Sequence, residues 1–231
     1  MSSPMFHFED IVLGLPLLGK GLLHTVTLAL ISFSAALTLG TGLGLLRGEF
    51  GGWPGKLAAL YIEFLRGIPL ILSLIFIHYG LLPLLFGGSD FLASSLIAFI
   101  LFEAAYIGEI IRGGLRAVTP AEREAAQCIG LTRGQQLRHV VLPLAFQRMA
   151  PALAGQFVSL LKDTSLAAIV GVVELTRAGE IIYEQRFHDF EILLFQALIY
   201  FLLCLGISLY SRRFESQERR PQNILARTIA D

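Results

Sequence analysis

Residues 124–143 read E-A-A-Q-C-I-G-L-T-R-G-Q-Q-L-R-H-V-V-L-P, from Glu124 to Pro143, a polar, helix-forming stretch in a chain otherwise rich in long apolar runs. Local signals divide it. Just upstream, Thr119-Pro120-Ala121-Glu122 reads as a capping box. The Thr119 hydroxyl is placed to accept from the Glu122 amide, the Glu122 carboxylate to accept from the Thr119 amide, and Pro120 suits the first helical position. Ala121, Ala125, Ala126 and Ile129 follow as one apolar stripe. Gly130 is suited to the left-handed conformation that ends a helix. Thr132 to Gln135 forms a second capping box, opening a helix with Leu137, Val140 and Val141 on one side. The stretch predicts two short helices meeting at a glycine elbow, with a narrow apolar face and a basic remainder (Arg123, Arg133, Arg138, His139). That is the form of a docking piece.

Around this elbow the chain is built for lipid. It is 55% hydrophobic and 16% charged, with a mean hydropathy of +0.68. Residues 25–46, 67–89 and 192–211 contain no Asp, Glu, Lys or Arg, and each run is close to the ~20 residues that cross a bilayer. Two further runs carry isolated charges: Glu103 and Glu109 in one, Lys162 and Asp163 in the other. The runs are continuous rather than alternating, which excludes a barrel. The expected architecture is a single all-α membrane domain over residues 1–231. Its five spans lie at about 22–46, 59–83, 91–113, 147–173 and 190–212, with a loop at 119–143 and a tail at 213–231.

The basic residues set the orientation. Arg47, Lys56, Arg66, Arg112, Arg116, Arg123, Arg133, Arg138, Arg148, Arg212, Arg213, Arg219, Arg220 and Arg227 fall on one side of the expected topology. Lys20, Arg177 and Arg186 fall on the other, and Lys162 lies within a span. This predicts an outside N-terminus, a cytoplasmic C-terminus and a cytoplasmic elbow, an asymmetry that the net charge of zero conceals. No basic segment precedes the first apolar run, so no cleaved signal peptide is expected. Cys128 and Cys204 have neither metal-ligand nor redox spacing, and no disulfide is expected. The tail after Arg212 is charged and expected to be mobile.

Catalytic signatures are missing from the sequence. Gly14 to Gly21, G-L-P-L-L-G-K-G, approaches a phosphate-binding loop, but Gly21 stands where a magnesium-holding Ser or Thr is required and no strand precedes it. There is no nucleophile elbow, no zinc pair, and no basic–aromatic surface of the kind that binds nucleic acid. The chain reads as a non-enzyme without a cofactor of its own, and the energy for any active process must come from another subunit.

Several polar residues in or near the spans require a reason. Glu63 and Arg66 are three apart on a helix and placed to pair. Gly67 and Pro69 suit a bend or a close approach. Together the four read either as a gate or subunit contact, or as an interfacial salt bridge. Glu103, Tyr106 and Glu109 recur at a spacing of three, and Glu109 can pair with Arg112. Glu103 has no local partner, which favours lining of an aqueous cavity. Lys162, Asp163, Thr164 and Ser165 interrupt the fourth span. Two readings stand for them: a transport site made from a broken helix, or a buried network that fixes packing. Gly40, Gly42, Gly44 and Gly48 read as a close helix contact. His78 and Tyr79 read as anchors in the membrane interface.

With Leu142-Pro143 at its end and apolar spans on both sides, the Glu124-Ala125-Ala126…Gly130 pattern resembles the cytoplasmic loop of ABC importer permeases. More of the chain, from about His24 to Phe214, is similar to permeases of polar amino-acid ABC importers, the histidine and glutamine transport type. The resemblance is carried by T-V-T-L-A-L, Y-I-E-F-L-R-G-I-P, A-Y-I-G-E-I-I-R-G-G-L, the elbow, and L-L-K-D-T-S-L. It departs at Ala121-Glu122, where Gly-Gln is usual, at Ile68 in place of Thr, and at Leu144 in place of Gln. The resemblance implies the type I ABC importer permease fold in the bacterial inner membrane. It implies a homo- or heterodimer of permease chains, two cytoplasmic ATPases that bind ATP and magnesium, and an extracytoplasmic amino-acid binding protein. The elbow, with Glu124, Ala125, Ala126, Gly130, Arg133, Leu142 and Pro143, would then couple ATP turnover to alternating access. Glu103, Tyr106, Lys162, Asp163, Thr164 and Ser165 would line the substrate pathway. Glu63, Arg66, Gly67 and Pro69 would form the gate or subunit contact. The rival readings are an ion-coupled carrier using Glu103, a non-transporting membrane scaffold, and an intramembrane hydrolase.

Overall fold

The computed structural model describes the backbone of residues 8–186 and 189–230, with side chains described for residues 12–185 and 190–211. Among these residues the regular structure is helical, with no strand. The first helix, α1, spans Phe8–Leu45. The phosphate-loop-like glycines lie inside it. A Cβ on Gly21 would sit 2.8 Å from the Ala178 Cβ and 2.9 Å from the Glu174 carbonyl oxygen. That glycine therefore serves a close helix approach, and no loop exists there to cradle a phosphate.

After a π-helical turn at Leu46–Phe50 the chain reverses through Gly51 and Gly52, at φ 59° and 62°, into α2, Gly52–Arg66. Gly67 closes α2 by donating to the Glu63 and Phe64 carbonyls. Pro69 has no amide proton and disfavours helical geometry at Ile68. The chain accordingly bends by 102° before α3, Leu70–Phe86. The expected second span, 59–83, runs across this bend.

Helix α4, Phe91–Ala117, is the central post. Asp90 caps it by accepting from the Ala93 amide at 2.8 Å. Phe99, Ala104, Ala105, Ile107, Ile111 and Leu115 are buried on it. Gly40 and Gly44 let α1 lie directly against it. A Cβ on Gly44 would meet Ile111 at 2.6 Å and the Gly108 carbonyl at 2.7 Å. Gly42 faces open space and takes no part in that contact.

Beyond α4 come α5, Pro120–Cys128, and α6, Arg133–Val170. Two sequence features shape α6. Pro143 cannot donate to the ladder, and the turn ahead of it, Leu137–Val141, is widened to π-helical geometry. The last stretch, Thr164–Val170, tightens to 3₁₀ and stops at Gly171, φ 102°. Helix α7 is Leu175–Arg186 and α8 is Asp189–Ala230. Side chains of the tail, and with them its expected mobility, lie outside the described residues, as do those of Arg186 and residues 1–11.

Val12–Phe50, Phe91–Ala117, Arg133–Val170 and Phe190–Ser211 are each long and apolar enough to cross a membrane, and the bent α2–α3 pair adds a fifth crossing if it counts as one. Leu30, Ile31, Phe64, Phe76, Leu198 and Phe201 point outward. Such a surface is suited to hydrocarbon and costly in water. His78 corrects an expectation. It is buried at 3% exposure, with Nδ1 2.8 Å from the Ser94 hydroxyl and its ring stacked on Phe91. Tyr79 is exposed. The pair splits because adjacent helical residues face different ways.

Candidate functional site

The elbow forms as its local signals require. The Thr119 amide donates to Glu122 Oε2 at 2.8 Å and the Glu122 amide to the Thr119 hydroxyl at 3.3 Å. The Thr132 amide donates to Gln135 Oε1 at 2.9 Å, with the reciprocal bond at 3.5 Å. Between the boxes, Gly130 has φ 81°. Its amide donates to the Gln127 carbonyl and the Leu131 amide to that of Ala126, the paired bonds of a left-handed helix stop. Of the apolar stripe on α5, only Ala126 is buried; Ala121 and Ala125 are exposed, and Ile129 is 75% exposed. The helix therefore turns apolar surface away from its own bundle. Glu124 is also exposed and lines a hollow of about 400 Å³ with Arg116, Arg123 and Gln136. Arg133 and Pro143 are exposed, and Leu142 packs half-buried against the core.

Adjacent to the elbow, a charged cluster ties the ends of α1, α2 and α4. Arg112 donates to both carboxylate oxygens of Glu109, through Nε at 2.9 Å and through Nη2. Arg47 donates to Glu109 at 3.2 Å and to Glu63 at 2.7 Å. The expected Glu63–Arg66 pair does not form. Arg66 lies 5.4 Å from the Tyr106 ring centroid and 4.0 Å from Glu109. The sequence spacing named a local partner for Glu63, and the fold supplies a nearer guanidinium from α1.

Deeper in the bundle, Glu103 is fully buried. Gln156 on α6 donates to its Oε2 at 2.9 Å, and Oε1 has no hydrogen-bond partner. Lys162 is exposed and Asp163 half-buried. Glu103 on α4 and Gln156 on α6 are thus brought together, while Lys162 and Asp163, consecutive on a helix, diverge. Thr164 is buried and donates to the Leu161 carbonyl at 2.8 Å, where α6 tightens; Ser165 follows, half-buried.

Sequence reasoning missed a buried knot at the opposite end from the elbow. Glu174 accepts from the Thr176 and Arg177 amides, each at 2.9 Å, from the Tyr200 hydroxyl at 2.9 Å and from Thr25 at 3.3 Å. Gln196 packs on Gly179 and donates to the Leu175 and Thr176 carbonyls at 2.5 and 3.0 Å. The one local signal was an acid just ahead of a helix start.

Residues 40–220 match the family model described as binding-protein-dependent transport system inner membrane component. The chain belongs to this family. Two family relatives come from Escherichia coli. The glutamine transport system permease protein GlnP of strain K12 is 35% identical over 213 residues, 91% of this chain and 96% of that protein. The glutamate/aspartate import permease protein GltK of strain O6:H1 is 32% identical over 88% of this chain and 94% of that one. Among solved structures, an amino acid ABC transporter crystallised with histidines has a TM-score of 0.85 at 30% identity, covering 92% of this chain and 99% of the other. An inward-facing form of the MetNI methionine ABC transporter shares the fold, with a TM-score of 0.71 at 19% identity, covering 93% and 99%. The chain is a multi-pass inner-membrane permease with the type I ABC importer fold, the pore subunit of its transporter and not itself catalytic. The carrier, scaffold and hydrolase readings are not favoured.

Proposed function

We propose that this permease imports polar amino acids by alternating access, driven by two copies of a separate ATPase that bind ATP and magnesium and grip the loop from Glu124 to Pro143. The observation that carries the reading is the elbow. Both of its helices are capped from within the loop, and α5 turns Ala125 and Ile129 away from its own bundle. A stiff lever with an outward apolar face is suited to a groove on a second protein. Glu124, Ala125, Ala126, Gly130, Arg133, Leu142 and Pro143 form the coupling element. A second permease chain completes the pore, and an extracytoplasmic binding protein delivers the substrate. The N-terminus lies outside and the C-terminus in the cytoplasm, with the basic residues toward the elbow.

The pathway runs past Glu103, Tyr106 and Asp163. A buried carboxylate with one oxygen unpartnered is costly at membrane depth, and an incoming ammonium group would offset that cost. Thr164 and Ser165, where α6 changes pitch, supply hydroxyls and backbone groups to the same region. Lys162, exposed on this chain, supplies the cationic partner that a zwitterion's carboxylate needs. Glu63, Arg66, Gly67 and Pro69 form the gate or subunit contact, at the 102° bend. The relatives' names, glutamine and glutamate/aspartate, support a polar amino acid as substrate. Uptake of a panel of radiolabelled amino acids by the complex reconstituted in liposomes tests this. ATP-dependent accumulation of at least one polar amino acid is expected. Uptake that proceeds without the ATPase would overturn the reading.

A further inference from the structure

Helix α5 is nine residues long, too short to hold itself in water, and a single side chain, Ala126, anchors it by burial. What fixes its orientation is charge. Glu122 and Arg123 are consecutive, so their side chains leave the helix about 100° apart. Glu122 reaches to α6, where Arg148 Nη2 lies 2.5 Å from its Oε1. Arg123 reaches to the turn between α1 and α2. There its two terminal nitrogens donate to the two oxygens of Glu49 at 3.1 and 2.7 Å. Both arginines also satisfy carbonyls at the end of α4: Arg123 donates to Leu115 at 2.9 Å and Arg148 donates to Ala117. The last carbonyls of a helix lack partners within it, so these bonds attach the two clasps to α4 as well. The Arg148 guanidinium, aided by the Thr119 amide, holds the Glu122 carboxyl down at about 2. Hydrogen bonding to Glu49 holds Arg123 above its usual range.

We propose that the Arg123–Glu49 and Arg148–Glu122 pairs are the transmission of this permease: they fasten α5 to α1, α4 and α6, so that a displacement of the elbow moves all three together. This rests on the reading of α5 as the driven element and names the residues that pass its motion on. They are positioning residues; none touches the substrate.

The test uses the full complex in liposomes and reads amino acid transported per ATP hydrolysed. Glu49→Gln and Arg123→Gln are each expected to lower that ratio on the order of tenfold. Glu49 sits on the α1–α2 turn, away from the exposed face of the elbow. The double variant Glu49→Gln/Arg123→Gln is expected to do no worse than either single one, because both remove the same link. Exchanging the charges, Glu49→Arg with Arg123→Glu, is expected to recover much of the ratio. A pair that only stabilises the fold would lower the unfolding temperature and leave the ratio unchanged. That result, or deficits that multiply in the double variant, overturns the proposal. Should the single variants lose the ATPase during purification, the exchanged chain decides. Recovery of both assembly and ratio supports the transmission; an exchanged chain that stays unassembled, or assembles with a low ratio, overturns it. Failure of the unmodified complex to accumulate any amino acid is a separate outcome, and overturns the importer reading itself.

Discussion

The elbow at α5 and the knot around Glu174 stand at opposite ends of the bundle and are held by opposite means. In the elbow, capping bonds run between residues three apart, Ala121, Ala125 and Ile129 face out, and ion pairs at the margin make the attachment. In the knot, Thr25 bonds across 149 residues to Glu174, whose side chain is fully buried and receives four donors. A buried, satisfied carboxylate is intolerant of displacement, because every lost donor is left unpaired. The marginal ion pairs are half-buried, not enclosed, so the end they fasten moves as a unit with fewer groups left unpaired. The difference teaches which end is built to move and which to be a fixed point.

Substitutions sharpen that contrast. The largest loss of stability is expected from Glu174→Ala, which strands two hydroxyls and two amides at once. A destabilisation of about 3–5 kcal/mol should appear as a lowered unfolding temperature in detergent. Glu124→Ala, on the exposed elbow, is expected to change stability by less than about 0.5 kcal/mol and still reduce uptake per ATP. If the two variants lose stability alike, the contrast between the ends is wrong. Gly44→Val comes next. Its added atoms meet the α4 backbone, and overpacking of about 1–3 kcal/mol is expected, read by the same melt. Gly130→Ala is smaller, about 1–2 kcal/mol for a left-handed residue that gains a Cβ, with its main effect on coupling. Gly130→Pro, which cannot adopt φ 81°, is expected to abolish coupled uptake while ATP turnover persists. The smallest effect is that of pH. Glu122 has a folded value of about 2 against an ordinary 4.5. A depressed acid contributes its stabilisation above the ordinary value and loses it as the pH falls toward the folded one. Attachment of α5 through Glu122 should therefore be flat between about pH 5 and about pH 8 and weaken only below about 4.5. A coupling ratio measured across that range checks it.

How much was legible follows the same line. Both capping boxes, the stop at Gly130 and the Glu109–Arg112 pair were readable because their partners lie within a few residues. The apolar runs announced a helical membrane bundle, since hydrocarbon allows little else. Glu63 was given the wrong partner because Arg47 approaches only after α1 and α2 fold back on each other. Glu103 read as unpaired for the same reason: Gln156 is 53 residues away. Lys162 and Asp163 are adjacent in sequence, and helical spacing alone already turns them in different directions. The Glu174 knot left only a faint mark, an acid before a helix, because its other members come from α1 and α8. Glu49, the far end of the proposed transmission, sits in an unremarkable turn and owes its role to Arg123 alone.

The central claim is that an ATP-hydrolysing partner grips α5. Cys128 lies exposed on that helix, and Cys204 is half-buried on α8. In a Cys204→Ser chain the rate of thiol labelling at Cys128 therefore reports directly on whether the elbow is covered. The account predicts rapid labelling of the chain alone, slow labelling once the ATPase subunits are bound, and recovery when they are stripped away. Equal labelling rates with and without the ATPase in an assembled, transporting complex would contradict it.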